Sequence, residues 1–402
     1  MDALKSIPGV RLAAACAGIK KPCTGERDDL VLIEAAVGST IAAVFTRNAF
    51  CAAPVQIARE HLAKQTPRFL LINSGNANAG TGAPGREAAL ATCRGVAALA
   101  GCAPEQVLPF STGVIGEPLP VARIEQTLPE LYKNLAAELW PQAARAIMTT
   151  DTVPKATSRT VDIAGETVVI TGIAKGAGMI RPDMATMLAF IATDATIPKP
   201  IADKMQRVAV DCSFNRITVD GDTSTNDACV FIASGQSKAP SIDDASNPAH
   251  TTMQAAITEV CTQLAQAIVR DGEGATKFIT ITVTGGRDED ECLKVGYAVA
   301  QSPLVKTAFF ASDPNWGRIL AAIGRAGVSD LDVNRVVISL GDVCIVRDGG
   351  RAPDYREEVG AEVLAKPDIA VTIDLQRGEF SETVWTCDFS YDYVRINADY
   401  RT

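Results

Sequence analysis

The chain has 402 residues, 47% of them hydrophobic and 21% charged, too much for one core and enough for two or three globular domains. Its formal net charge of −9, with lysines and arginines scattered, argues against a nucleic-acid or anionic-membrane partner. No apolar run approaches the ~18 residues of a membrane span, and the N-terminus lacks a charged region ahead of an apolar stretch, so a cytoplasmic protein is expected.

Apolar runs at 30–36 and 41–45 read as strands paired across the turn Gly38-Ser39-Thr40. A third, at 69–72, enters a loop at 73–82 dense in Gly and Asn, whose backbone N–H groups could cradle an anion. That loop has neither a P-loop lysine nor a Gly-x-Gly-x-x-Gly placement, so a nucleotide site is a weak reading. Residues 86–100 have helical spacing, 110–118 read as a loop, and 121–139 and 140–150 read as helical. Residues 158–163 and 167–170 flank Ala164-Gly165-Glu166 as a β-hairpin. A glycine-punctuated loop at 175–182 then feeds a buried strand that begins at Thr186.

A helix at 199–210, a polar loop at 217–227, a strand at 228–233 and a polar connection at 235–247 follow. The clearest helix spans 251–270, with Met253, Ile257, Val260, Leu264 and Ile268 on one face. The last third reads as a strand at 278–284, a helix at 288–305, a loop at 307–317 and a short helix at 318–325. Strands at 336–340, 342–346, 369–375 and 380–389 surround a helix at 356–364. Strands and helices mix without strict alternation, which predicts an α+β (mixed α/β) fold in two lobes.

Eleven cysteines without CxxC pairing read as reduced thiols, most of them small core residues. Two histidines, His61 and His250, leave almost no ligands for a metal site and few bases for a Ser-His or Cys-His mechanism.

The segment Lys175-Gly176-Ala177-Gly178-Met179-Ile180, with Pro182 and Met184-Ala185-Thr186-Met187-Leu188, closely resembles the self-cleavage signature of the ornithine acetyltransferase family of arginine biosynthesis. The resemblance implies a cut between Ala185 and Thr186, giving fragments 1–185 and 186–402, with Thr186 as an N-terminal nucleophile. It continues through Ala17-Gly18-Ile19-Lys20, Phe45-Thr46-Arg47-Asn48, Asn73-Ser74-Gly75-Asn76-Ala77-Asn78, 219–227 and Asp313-Pro314-Asn315-Trp316-Gly317-Arg318, and so covers almost the whole chain. Ser111-Thr112-Gly113-Val114-Ile115-Gly116 is by composition a turn before a helix; the resemblance makes Thr112 and Gly113 an oxyanion hole. It also assigns substrate contacts to Thr152, Lys175, Thr186, Glu273, Asn397 and Thr402.

These residues suit an amino-acid substrate. Lys175, Asn397 and Thr152 could hold the α-carboxylate of N-acetylornithine or glutamate, and Glu273 could meet the cationic end of ornithine. Read alone, Glu273 between glycines is a solvated turn acid, and Thr402 could line a site only if the last strand docks across it. Cleavage supplies the base that a histidine-poor chain lacks, since a free α-amine titrates at roughly 8 and sits beside its own Oγ. The resemblance implies ping-pong acetyl transfer from N-acetylornithine to glutamate without cofactor or metal. It further implies acetyl-CoA as a donor in some members, and a heterotetramer of two copies of each fragment. The rival readings are a self-processing aminopeptidase or amidase, and a non-catalytic protein that grips an anion.

Overall fold

The computed structural model describes residues 4–25, 27–181 and 187–399. The chain forms two compact units that interleave along the sequence. The first comprises Met1–Gly176, Pro182–Asn215 and Thr223–Ile268; the second comprises Ala177–Arg181, Arg216–Asp222 and Val269–Thr402.

The first unit holds two sheets. One has the order β1 (Val10–Ala15), β2 (Leu30–Ala35), β4 (Phe69–Asn76), β5 (Val107–Val114). The other runs β3 (Thr40–Phe45), β9 (Ala228–Ala233), β8 (Leu188–Thr193), β7 (Glu166–Lys175), β6 (Lys155–Ile163). Ile33, Ile72 and Phe110 from the first sheet share a buried cluster with Ile173, Phe190 and Val230 from the second. The outer face of the first sheet is covered by the helices Gly82–Ala100 and Val121–Lys133, through Val96, Leu128 and Leu131. On the outer face of the second, Gly172 brings β7 against Val260 and Leu264 of the helix Pro248–Arg270. The layering is therefore helix, sheet, sheet, helix.

The strands expected to pair across 37–39 do not pair with each other. β2 lies antiparallel to β1 and β4, whereas β3 lies antiparallel to β9 in the other sheet. Every residue of β2 is buried, so it needs cover on both faces, which a two-stranded hairpin does not give. The segment read as a loop at 110–118 is likewise corrected, because Phe110 to Val114 ends β5, parallel to β4. Its Ser, Thr and Gly residues look like loop formers but make ladder pairs. The hairpin of β6 and β7 forms as expected, with Ala164 at φ 56° and Gly165 at φ 86° supplying the left-handed turn it requires.

Phe110 and Phe190 meet edge to face across the two sheets at 5.3 Å. Phe190→Ala is expected to cost about 3–5 kcal/mol of stability, read as a lower denaturation midpoint at unchanged m-value. A shift worth less than about 1 kcal/mol would contradict this packing.

The second unit is a six-stranded sheet of β13 (Gly350–Arg351), β12 (Val343–Arg347), β11 (Val337–Leu340), β14 (Asp368–Asp374), β10 (Phe278–Gly286) and β15 (Phe380–Cys387), in that order. The helix expected over 288–305 is two helices, Glu289–Ala300 and Pro303–Phe310. Pro303 has no N–H to give and disfavours the helical conformation at Ser302, which caps the next helix instead. Beyond the last strand, Tyr391–Ala398 forms a helix. Its first turn is capped by the Ser390 side chain.

The expectation of reduced thiols fails at one pair, since Cys16 and Cys23 form a disulfide. Ala17 and Ile19 both donate their N–H groups to the Asp29 carboxylate at 2.6 Å, and this fold of the loop brings the two thiols together. Among the described residues no helix is long and apolar enough to cross a membrane.

Candidate active site

Strand register brings one set of residues to a common edge of the first unit. β7 ends at Lys175, whose antiparallel partner is Leu188 at the start of β8. Leu188 is in turn the parallel partner of Ala228 at the start of β9, so Asn226 and Asp227 lie just ahead of that edge. In the neighbouring sheet Ser74 pairs with Thr112 and Gly75 with Gly113, at the far ends of β4 and β5. Asn226 joins the two sheets by donating to Ala77 O at 2.6 Å and Ser111 O at 2.9 Å.

Lys175 Nζ donates to Thr112 Oγ1 at 3.2 Å, and both side chains are buried. Gly113 adopts φ 133°, and a Cβ there would lie 2.2 Å from the Gly75 carbonyl carbon. Only glycine fits so close an approach, which fixes the backbone beside the Thr112 hydroxyl.

Two carboxyl groups in this unit feel the Lys175 charge and are shifted in opposite directions. Asp151 accepts from Lys155 Nζ at 2.6 Å, Gly176 N at 2.7 Å and Thr149 N at 2.9 Å. Burial alone would push its carboxyl up, but the charges of Lys175 and Lys155, with these bonds, bring it down to about 2. Asp227 is pushed well above the usual carboxylate value by burial, against the pull of Ser224 and Lys175. Its Oδ2 is buried and has no hydrogen-bond partner among the described residues.

Asp151→Ala would leave Lys155 buried beside no carboxylate, at an expected cost of about 3–5 kcal/mol in a denaturant titration. The folded pKa of Asp151 lies below the unbonded value of 3.8, so the stability from this pairing is present above 3.8 and fades as pH falls toward about 2. Between those values the variant should lose less stability than the native chain; parallel acid curves would refute the pairing.

In the second unit, Asn397 Nδ2 donates to Glu273 Oε2 at 2.8 Å, and Glu273 N donates to Ala177 O at 2.9 Å. Glu273 is 7% exposed, so it is not a solvated turn acid. Gly178 runs directly against it, with a Cβ position 2.4 Å from the Glu273 carboxyl carbon.

The structure thus brings together Thr112, Gly113 and Lys175 in one unit, and Glu273 and Asn397 in the other. Thr152 is exposed and follows Asp151 in the chain. Ala185, Thr186 and Thr402 lie outside the described residues. Sequence reasoning missed Asp151, Lys155, Asn226 and Asp227. The spacing of Asp151 and Lys155 around Pro154 was a weak signal for the first pair, and Asn226 and Asp227 close the block 219–227 that carried the resemblance without being given a role. His61 is a core histidine, buried with Nδ1 at 2.8 Å from Val107 O. Among the described residues, no group of three or more His, Cys, Asp and Glu could hold a metal ion.

The ArgJ family model matches residues 11–402 of the chain. The arginine biosynthesis bifunctional protein ArgJ of Pseudomonas syringae pv. tomato is 54% identical over 402 residues, which is 100% of this chain and 98% of that one. A solved chain of the arginine biosynthesis bifunctional protein ArgJ from Bacillus halodurans is 37% identical with a TM-score of 0.50, covering 52% of this chain and 97% of its own. Ornithine acetyltransferase from Mycobacterium tuberculosis, solved in complex with ornithine, is 33% identical with a TM-score of 0.40, covering 46% of this chain and 98% of its own.

Proposed function

The chain belongs to the ArgJ family, the acetyltransferases of arginine biosynthesis, and on that premise we propose that it moves an acetyl group from N-acetylornithine to glutamate through Thr186 after cutting itself. In the first event Thr186 Oγ attacks the Ala185 carbonyl, the acyl group shifts from N to O, and water hydrolyses the ester. The freed α-amine of Thr186 is then the base for its own hydroxyl. In turnover that amine takes the Oγ proton while Oγ attacks the acetyl carbonyl. The tetrahedral oxyanion is met by the Thr112 hydroxyl and the Gly113 N–H. Collapse expels ornithine, whose amine recovers the proton, and glutamate's amine accepts the acetyl group from the threonine ester in the second half.

The observation that carries this reading is the Lys175–Thr112 hydrogen bond of 3.2 Å. Because Lys175 donates to Thr112 Oγ1, the threonine's own hydrogen is directed elsewhere, which makes it a donor for an oxyanion. Met187 O accepts from Ala228 N at 2.9 Å, so the residue after Thr186 is tied to the sheet. The Bacillus halodurans chain, matched nearly end to end yet spanning 52% of this one, fits division near the middle of the sequence. Thr152 and Lys175 are assigned to the substrate carboxylate, as are Asn397 and Thr402. Glu273 is assigned to the cationic end of ornithine. Acetyl-CoA would serve as a second acetyl donor, the fragments would assemble as a heterotetramer, and the enzyme would work in the cytoplasm without a cofactor.

The test is to mix the protein with N-acetylornithine and isotopically labelled glutamate. Labelled N-acetylglutamate is the expected product. Free acetate without it would assign the protein to the amidases instead.

A further inference from the structure

Asn226 is buried, two residues ahead of β9, and its side-chain amide is used in full. Both amide hydrogens go to main-chain carbonyls: Ala77 O at 2.6 Å, just past the end of β4, and Ser111 O at 2.9 Å, within β5. The amide oxygen accepts from the Thr225 hydroxyl at 2.7 Å, and Asn226 N donates to Ser224 Oγ at 3.2 Å. A primary amide offers two N–H donors and one carbonyl, so these partners fix which way it faces. All of these residues belong to the first unit.

The two carbonyls flank the pair Thr112 and Gly113. Ser111 O belongs to the peptide that leads into Thr112. In an extended strand the C=O of one residue and the N–H two residues on project to the same side, while the residue between them presents its groups to the other. Thr112 lies within β5, so the Gly113 N–H emerges on the side of the strand where Asn226 holds Ser111 O. β5 ends its sheet and has β4 alone as a strand neighbour among the described residues. Past the end of β4, Ala77 N donates to Val114 O at 2.9 Å, and the Ala77 carbonyl is the second group that the amide holds. One side chain therefore ties both strand ends together around Thr112 and Gly113.

We propose that Asn226 is the positioning residue for the two oxyanion donors: by holding Ser111 O and Ala77 O it sets the direction in which the Gly113 N–H and the Thr112 hydroxyl face. The inference rests on the oxyanion reading of that pair above and adds a residue to it. Asn226 touches neither the substrate nor the reacting atoms in this account. Its effect falls on kcat, because donors aimed at developing charge act in the transition state far more than in the ground state.

The experiment measures kcat and KM for N-acetylornithine at saturating glutamate, per chain cut as counted by intact mass. It compares the native protein with Asn226→Ala, Thr225→Val, Thr112→Val and the double variant Asn226→Ala with Thr112→Val. Asn226→Ala is expected to lower kcat at least ~10-fold with KM within about 3-fold of native. Thr225→Val keeps both amide donors and loses only the hydroxyl that orients them, so a kcat about 3-fold lower is expected. In the Thr112→Val background one of the two oxyanion donors is already gone, so Asn226→Ala should cost about 3-fold or less there. A merely structural role would give the same fold loss in both backgrounds. Native kcat in Asn226→Ala, or equal losses in the two backgrounds, overturns the proposal and leaves the oxyanion reading standing. Should Asn226→Ala fail to fold or to cut, Thr225→Val decides alone, and its having native kcat overturns the proposal. Native kcat in Thr112→Val overturns the oxyanion reading, and this proposal falls with it.

Discussion

Thr186→Ala is expected to purify as one uncut chain and to transfer no measurable acetyl group. In the proposed mechanism the substitution removes the attacking oxygen of both reactions at once. Removing a nucleophile of this kind lowers turnover on the order of 10⁵-fold or more, and no neighbouring group replaces it in a chain with two histidines. Thr186→Ser keeps an Oγ and an α-amine and should still cut and transfer, more slowly. The measurement is the mass of the purified protein together with the rate of N-acetylglutamate formation. An active Thr186→Ala chain would remove the threonine from the mechanism.

Thr112→Val should lower kcat by about 10²–10³-fold while leaving KM for N-acetylornithine within a few-fold. Valine has nearly the shape of threonine, so the buried position stays filled and the strand pairing of Ser74 with Thr112 survives. What is lost is the hydroxyl, both as the acceptor for Lys175 and as the donor to the oxyanion in the proposed mechanism. An effect confined to KM would mean that Thr112 orients the substrate carboxylate through Lys175 and takes no part in stabilising charge. The split between kcat and KM therefore decides between the two uses of one hydrogen bond. Gly113 is less informative as a target, because any side chain there would strike the Gly75 backbone and disturb the sheet end as well.

The parts of this site that could be read from the sequence were those written into contiguous residues. The loop that follows Lys175, at 176–181, was legible because its glycines are contiguous, and Thr112 and Gly113 stood out because their motif is local. The strand Ala228–Ala233 was legible too, as a short apolar run bounded by turn residues. Sheet membership was not legible, because β2 and β3 have similar patterns and only packing decides that they separate into two sheets. Nor was the bond from Asp151 to Gly176 N, which joins residues far apart in the chain and leaves no spacing to detect. Glu273 misled a local reading for the same reason, as its two glycine neighbours suggest a wet turn while Asn397 and Ala177 close over it in the fold. The Cys16–Cys23 disulfide was hidden by the general expectation for an odd set of thiols, although the Asp29 carboxylate shapes the loop that forms it.

The most direct test of the acetyl-threonine mechanism is the intact mass of the protein after brief mixing with N-acetylornithine in the absence of glutamate. The expected result is two pieces, residues 1–185 and 186–402, with the second heavier by one acetyl group that disappears when glutamate is added. A single chain of 402 residues, or a second piece that never carries the acetyl group, would contradict it.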